Sequence, residues 1–105
     1  MENQEHIIML YDYYGELFND KQRKYFEDYY FDNLSLSEIA LNDGISRNAV
    51  HKGIKTVVSK LYEYEDILKL YQKDVKLKEI ITKINDKEIK KELEGLLWEK
   101  DYQLN

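Results

Sequence analysis

Apolar residues recur along this chain at steps of three and four, the period of a helix with one buried face. Ile7, Leu10, Tyr11, Tyr14, Leu17 and Phe18 predict a first helix over about residues 4–18. Asn19 with Gln22 has the form of a capping box, and Tyr25, Phe26, Tyr29 and Tyr30 give the second helix a wide aromatic face. Asp32-Asn33-Leu34 is a break. Ser35 with Glu38 opens a short third helix with Leu36, Ile39 and Ala40 inward, and Asn42-Asp43-Gly44 ends it. Ser46 caps a long fourth helix, where Val50, Ile54, Val57, Leu61, Tyr64, Leu68 and Tyr71 keep a strict four-three rhythm. That seam wants a partner along its length, from this chain or from a second one. A weaker fifth helix is predicted over about residues 74–84, with Leu77, Ile80, Ile81 and Ile84. Asn85 with Glu88 forms a third capping box before a last helix carrying Ile89, Leu93, Leu96, Leu97 and Trp98.

The segment from Ser35 to Val50 meets several independent requirements together. A small residue, Ala40, lets two helices cross closely. Gly44 suits a left-handed turn that a Cβ would strain. Ile39, Ile45, Val50 and Ile54 fill the crevice between the helices. This is the pattern of a helix-turn-helix, some of which bind no DNA; in those that do, the second helix enters the major groove and presents its N-terminal residues to base edges. Those residues are Arg47, Asn48, His51 and Lys52. Arginine reaches two guanine acceptors, and asparagine pairs with adenine. Lys55 and Lys60, with Ser46 at the cap, are placed for phosphates. Gly53 lies inside this helix, either for close backbone approach or simply tolerated.

Composition sharpens the picture. In 105 residues there is no proline, no cysteine and only four glycines, which favours helices and removes disulfides and thiolate metal sites. The polar, acidic start is unlike a signal peptide, and no apolar run approaches the ~20 residues of a membrane span. A soluble cytoplasmic protein without membrane insertion is expected. The net charge is −5, unevenly spread. Residues 1–43 carry −7 (ten acids, three bases), residues 44–62 carry +4 with no acid, and residues 63–105 carry −2 (eleven acids, nine bases). The one acid-free stretch coincides with the helix predicted to enter the groove.

The remaining chemistry is sparse. His6 and His51 have no cysteine company, so no metal site is predicted. Asp12, Glu16 and Asp20, and likewise Glu27, Asp28 and Asp32, read as solvated acidic faces. No phosphate loop or nucleophile elbow occurs, so neither an enzyme nor a cofactor is expected. Most of the ten tyrosines are predicted to pack in the core with hydroxyls at its edge, Tyr11, Tyr14, Tyr25 and Tyr29 among them. Tyr13, Tyr30 and Tyr62 lie off the main faces and are the candidates for an exposed aromatic surface.

Several stretches carry a family resemblance. They are Leu10 to Leu17, Lys21 to Phe26, Leu34 to Ala40 and Gly44 to Val50. Together they resemble the YlxM family of small helix-turn-helix proteins of Gram-positive bacteria and mollicutes, over about residues 7–68. The helix-turn-helix is also similar to region 4 of bacterial sigma factors, which reads promoter DNA. That resemblance implies a DNA-contact role for Arg47, Asn48, His51, Lys52 and Lys55, carried over by position. The family's gene lies beside those of the signal recognition particle protein Ffh and its receptor FtsY, which implies a regulatory or accessory role in membrane-protein targeting.

The expected architecture is all-α: a small bundle with a sigma region 4-like helix-turn-helix over residues 1–70, a long recognition helix, and a helical extension over 71–105. The extension would dimerise the protein or pack back on the bundle. In the first functional reading the protein is a dimeric DNA-binding regulator, with recognition helices about 34 Å apart. In the second, the helix-turn-helix is a scaffold and the acidic flanks dock on the basic particle protein or its receptor. Binding to the particle's RNA ranks last, because A-form major grooves exclude helices.

Overall fold

The computed structural model describes residues 3–98; residues 1–2 and 99–105, the end of the expected extension among them, lie outside the described residues. The order is α1 (Gln4–Tyr14), a single 3-10 turn (Gly15–Leu17), α2 (Asp20–Tyr30), α3 (Leu36–Asp43), α4 (Arg47–Leu68), α5 (Leu70–Ile81) and α6 (Lys87–Glu94). The all-α expectation holds among these residues. The molecule is elongated, 57 × 28 × 23 Å, because α4 alone runs about 33 Å at 1.5 Å per residue.

Local chemistry starts the helices where the sequence indicates. Asn19 and Gln22 form a reciprocal capping box on α2, and Ser35 and Glu38 do the same on α3. The Ser46 hydroxyl accepts from the Ala49 amide at the start of α4. Gly44 closes α3 with φ 68°, and the Ala40 carbonyl accepts from the amides of both Gly44 and Ile45. A residue with a Cβ is strained in this left-handed position.

One core lies where α1, α2 and α3 meet α4. Ile7, Leu10, Phe26, Ile39, Val50, Ile54, Val57 and Leu61 are wholly buried, and Ile45 packs against them half-buried. Tyr11 stacks on Phe26 with ring centroids 4.0 Å apart, and its hydroxyl donates to Glu27 at 2.7 Å.

Five expectations need correction. First, the first helix does not run to residue 18. α1 stops at Tyr14, where the backbone tightens into the 3-10 turn that turns Phe18 inward and leaves Leu17 58% exposed. Second, the fourth helix does not carry its seam to Tyr71. It ends at Leu68, which is exposed, and Lys69 in the left-handed region (φ 57°) starts α5 at Leu70 rather than about residue 74. Glu65 takes the inward place instead. Third, Asp86 and not Asn85 caps α6, accepting from the amides of Glu88 and Ile89. Fourth, α6 buries none of its residues, and Ile89, Leu96 and Trp98 are exposed. Fifth, Tyr13 and Tyr30 are buried; of the three candidates for an aromatic surface only Tyr62 is exposed.

Two buried carboxylates explain the second correction and, for Tyr13, the fifth. Glu65 accepts from the Tyr14 hydroxyl at 2.6 Å and from the amides of Tyr71 and Gln72 at 3.2 and 2.9 Å. The Tyr14 oxygen accepts in turn from the Leu70 amide at 3.0 Å. These bonds satisfy the first amides of α5, which has no side-chain cap from Lys69. Asp74 accepts from the Tyr13 hydroxyl at 2.7 Å and from the Trp98 amide at 3.1 Å. The Trp98 indole stacks on Tyr13 and donates to the Asp12 carbonyl at 3.1 Å. Both clamps fasten the chain after α4 onto α1.

Candidate nucleic-acid interface

The first half of α4 is two-sided. Val50, Ile54 and Val57 are driven into the core, which fixes the helix's rotation about its axis. Rotation then decides what faces water. Arg47, His51, Lys55 and Ser59 form one row at steps of four. Asn48, Lys52, Thr56 and Lys60 form the row beside it. His51 is half-buried and the other seven are exposed. From His51 to Lys60 these side chains line a shallow depression open to solvent.

The structure therefore brings all six sequence-predicted contact residues, Ser46, Arg47, Asn48, His51, Lys52 and Lys55, onto one end and face of one helix. Their engagement differs. The Ser46 oxygen is occupied as the cap, which leaves its O–H hydrogen to donate. Among the described residues, Arg47, Lys52 and Lys55 enter no ion pair, while Lys60 approaches Glu63 at 3.7 Å. Thr56 and Ser59 share the face and were not singled out from sequence; the spacing of four from Lys52 and Lys55 is the signal that points to them. The Thr56 hydroxyl donates to the Lys52 carbonyl at 3.0 Å.

Electrostatics favour an anion here. The free amides at the start of α4 add the positive end of the helix dipole to the bases of its first turns. Asp43, beside the turn, is paired with a base. Lys24 on α2 reaches Asp28 at 3.0 Å and Asp43, the last residue of α3, at 3.4 Å. Burial first, and then a hydrogen bond to Asp43, raises the Tyr25 phenol above its ordinary range. The Tyr25 ring also meets α4 at Gly53, where an added Cβ would sit 3.7 Å from the ring, an ordinary contact. Tyr25 thus touches both helices of the motif. Gly53 is tolerated rather than demanded by close packing.

Among the described residues no cluster of three or more His, Asp or Glu is placed to hold a metal ion. No helix among them is long and apolar enough to cross a membrane.

Comparison with known proteins agrees with this geometry. Residues 1–99 match the family described as "Putative helix-turn-helix protein, YlxM / p13 like". A UPF0122 protein of Fusobacterium nucleatum is 38% identical over 91 residues, 87% of this chain and 88% of that one. A UPF0122 protein of Malacoplasma penetrans is 45% identical over 80 residues, 76% of this chain and 75% of its own. One from a Geobacillus strain is 41% identical over 86 residues, 82% and 78% of the two chains. The match spans nearly the whole sequence and includes both capped helices and the glycine turn between them, so this chain belongs to the UPF0122 family of YlxM / p13-like helix-turn-helix proteins.

Proposed function

We propose that the protein binds double-stranded DNA by inserting the start of α4 into the major groove. Arg47, Asn48, His51 and Lys52 meet base edges. Lys55, Lys60 and the Ser46 hydroxyl meet phosphates. One observation carries the reading: the longest acid-free stretch of an acidic chain is +4 over residues 44–62, and its four bases are exposed on the second helix of a helix-turn-helix. In this reading residues 1–70 form the binding unit, and the helices after it brace α1 and α4 through Glu65 and Asp74. A regulatory role, a cytoplasmic location and a tie to the signal recognition particle pathway accompany the reading from the family resemblance.

Fluorescence anisotropy of a labelled random-sequence duplex, titrated with salt, tests it. On random sequence the bases of this stretch rest on phosphates. Four of them give a log–log slope of about −4 per chain, and Lys52→Ala with Lys55→Ala brings it to about −2. Absence of binding at low salt, or a slope that the double variant leaves unchanged, overturns the proposal.

A further inference from the structure

Lys69 is the whole connection between α4 and α5, and it sits in the left-handed region at φ 57°, ψ 31°. A lysine is strained there, because its Cβ crowds the following carbonyl oxygen. The residue is exposed and, among the described residues, enters no ion pair. Returning it to the right-handed helical region makes α4 and α5 one continuous helix.

The sequence is patterned for that straight helix as well as for the bend. The four-three rhythm of α4 runs on through the junction, as Leu61, Tyr64, Leu68, Tyr71 and Val75. The bend leaves Leu68 44% and Val75 40% exposed and turns a second row of α5 inward. In that row Asp74 and Ile81 are buried and Leu70 and Leu77 half-buried, at steps of four, three and four. At 3.6 residues per turn it lies about 160° around a straight helix from the core row of Val50, Ile54, Val57 and Leu61. With α4 in its core, a straight helix therefore points Asp74 away from the chain's own α1. Yet α1 is the seat of this row, since Tyr13 donates to Asp74 at 2.7 Å. For a straight helix, only a second copy offers that seat.

We infer that two copies of this chain exchange α5 and α6. In each, α4 and α5 join into one helix, and α5 docks on the α1 of the other copy. The Tyr13–Asp74 hydrogen bond and the bond from the Trp98 indole to the Asp12 carbonyl are remade between chains. The interface is one the fold already builds, so the exchange supplies no new surface. The Tyr71 and Gln72 amides, which Glu65 holds in the bend, pass to helical carbonyls. A short hinge under strain is the circumstance that favours such an exchange. The basic face of α4 takes no part, so exchange and DNA binding fail or hold separately.

Sedimentation equilibrium of the full chain, without DNA, from low micromolar to near-millimolar concentration, reads the exchange, and Lys69 sets its direction. Lys69→Gly relaxes the bend and weakens the straight helix, so the dimer should form about tenfold more weakly. Lys69→Thr, β-branched and ill-suited to φ 57°, should dimerise about fivefold more tightly than wild type. Spin labels then separate exchange from ordinary pairing. Ser59→Cys with Lys78→Cys provides two sites in a chain without native cysteine. Dilution of the labelled chain into excess unlabelled chain leaves only distances within one chain. In the dimer the two backbones should lie about 28 Å apart, the length of straight helix between them, and closer together across the bend in the monomer. Wild type and Lys69→Thr both monomeric at every concentration overturn the inference. So does a dimer whose strength is not ordered threonine, lysine, glycine at position 69, or one that keeps the shorter distance.

Discussion

The two ends of α4 are held by opposite means. At its start, Val50, Ile54 and Val57 sink into an apolar core, and a basic face is left to solvent. At its end the inward residue is Glu65, held by a phenol and two backbone amides. Apolar burial is non-directional and sets the helix's rotation. A buried carboxylate needs each partner in place, so it sets where the chain turns and where α5 begins. The same helix thus carries an exposed basic face at one end and a junction specified by hydrogen bonds at the other.

Removing material from the apolar end should have the largest effect. Ile54→Ala leaves a cavity under the basic face and should cost about 2–5 kcal/mol in urea denaturation. Against a total of roughly 5–15 kcal/mol for a domain, that is a large share. A loss under 1 kcal/mol would mean that the core collapses around the gap.

At the junction, Glu65→Ala deprives the Tyr14 hydroxyl and the amides of Tyr71 and Gln72 of their acceptor. The expected cost is about 2–3 kcal/mol, and Glu65→Gln, which keeps one acceptor oxygen, should lose less than half of it. Native-state hydrogen exchange sharpens the contrast. In the alanine variant α5 amides should lose protection while those of α3 and the first turns of α4 keep theirs. Equal loss everywhere would make the two ends one cooperative unit.

Alkali provides a third probe. Burial first, and then the Glu65 hydrogen bond, pushes the Tyr14 phenol up to about 12. Burial, with Tyr29 and Tyr62 nearby, does the same for Tyr30, also to about 12. Burial, with Glu27 beside Tyr11 and Asp74 beside Tyr13, raises those two phenols further. In the unfolded chain tyrosine ionises near pH 10, so the unfolded state alone releases these protons above that pH. The stabilisation from Tyr14 and Tyr30 is complete below pH 10 and lost as pH rises toward 12. Ultraviolet titration should show delayed ionisation, and Tyr14→Phe should remove the part belonging to the junction. A profile unchanged by Tyr14→Phe would assign the alkaline loss to the other phenols.

The smallest expected effect is a gain. Gly53→Ala fits beside the Tyr25 ring at 3.7 Å and should stabilise α4 by up to about 1 kcal/mol. A loss would show that the ring sits closer to α4 in solution than this contact requires.

The same contrast explains which parts of the molecule are legible in the sequence. The boxes Asn19–Gln22 and Ser35–Glu38, the Ser46 cap and the Gly44 turn involve residues three to five apart, so they are written locally. The exposed basic face follows from the inward period of Val50, Ile54 and Val57. The break at Lys69 is not legible, because lysine carries no preference for the left-handed region. It depends on Tyr14, 51 residues before its hydrogen-bond acceptor Glu65. Tyr13 misleads for a related reason. It lies off the stripe of a single helix, yet it is covered by α5 and Trp98, elements distant in sequence.

By itself, then, the sequence determined six helical segments, the capped turn between α3 and α4, and the one basic surface, since periodicity, capping and charge act over a few residues. Only the tertiary structure decided where α4 ends, which acids are buried and which tyrosines are covered. A carboxylate or phenol enters a core when its hydrogen-bond partner arrives there with it, and partners 51 and 61 residues away are supplied by the fold.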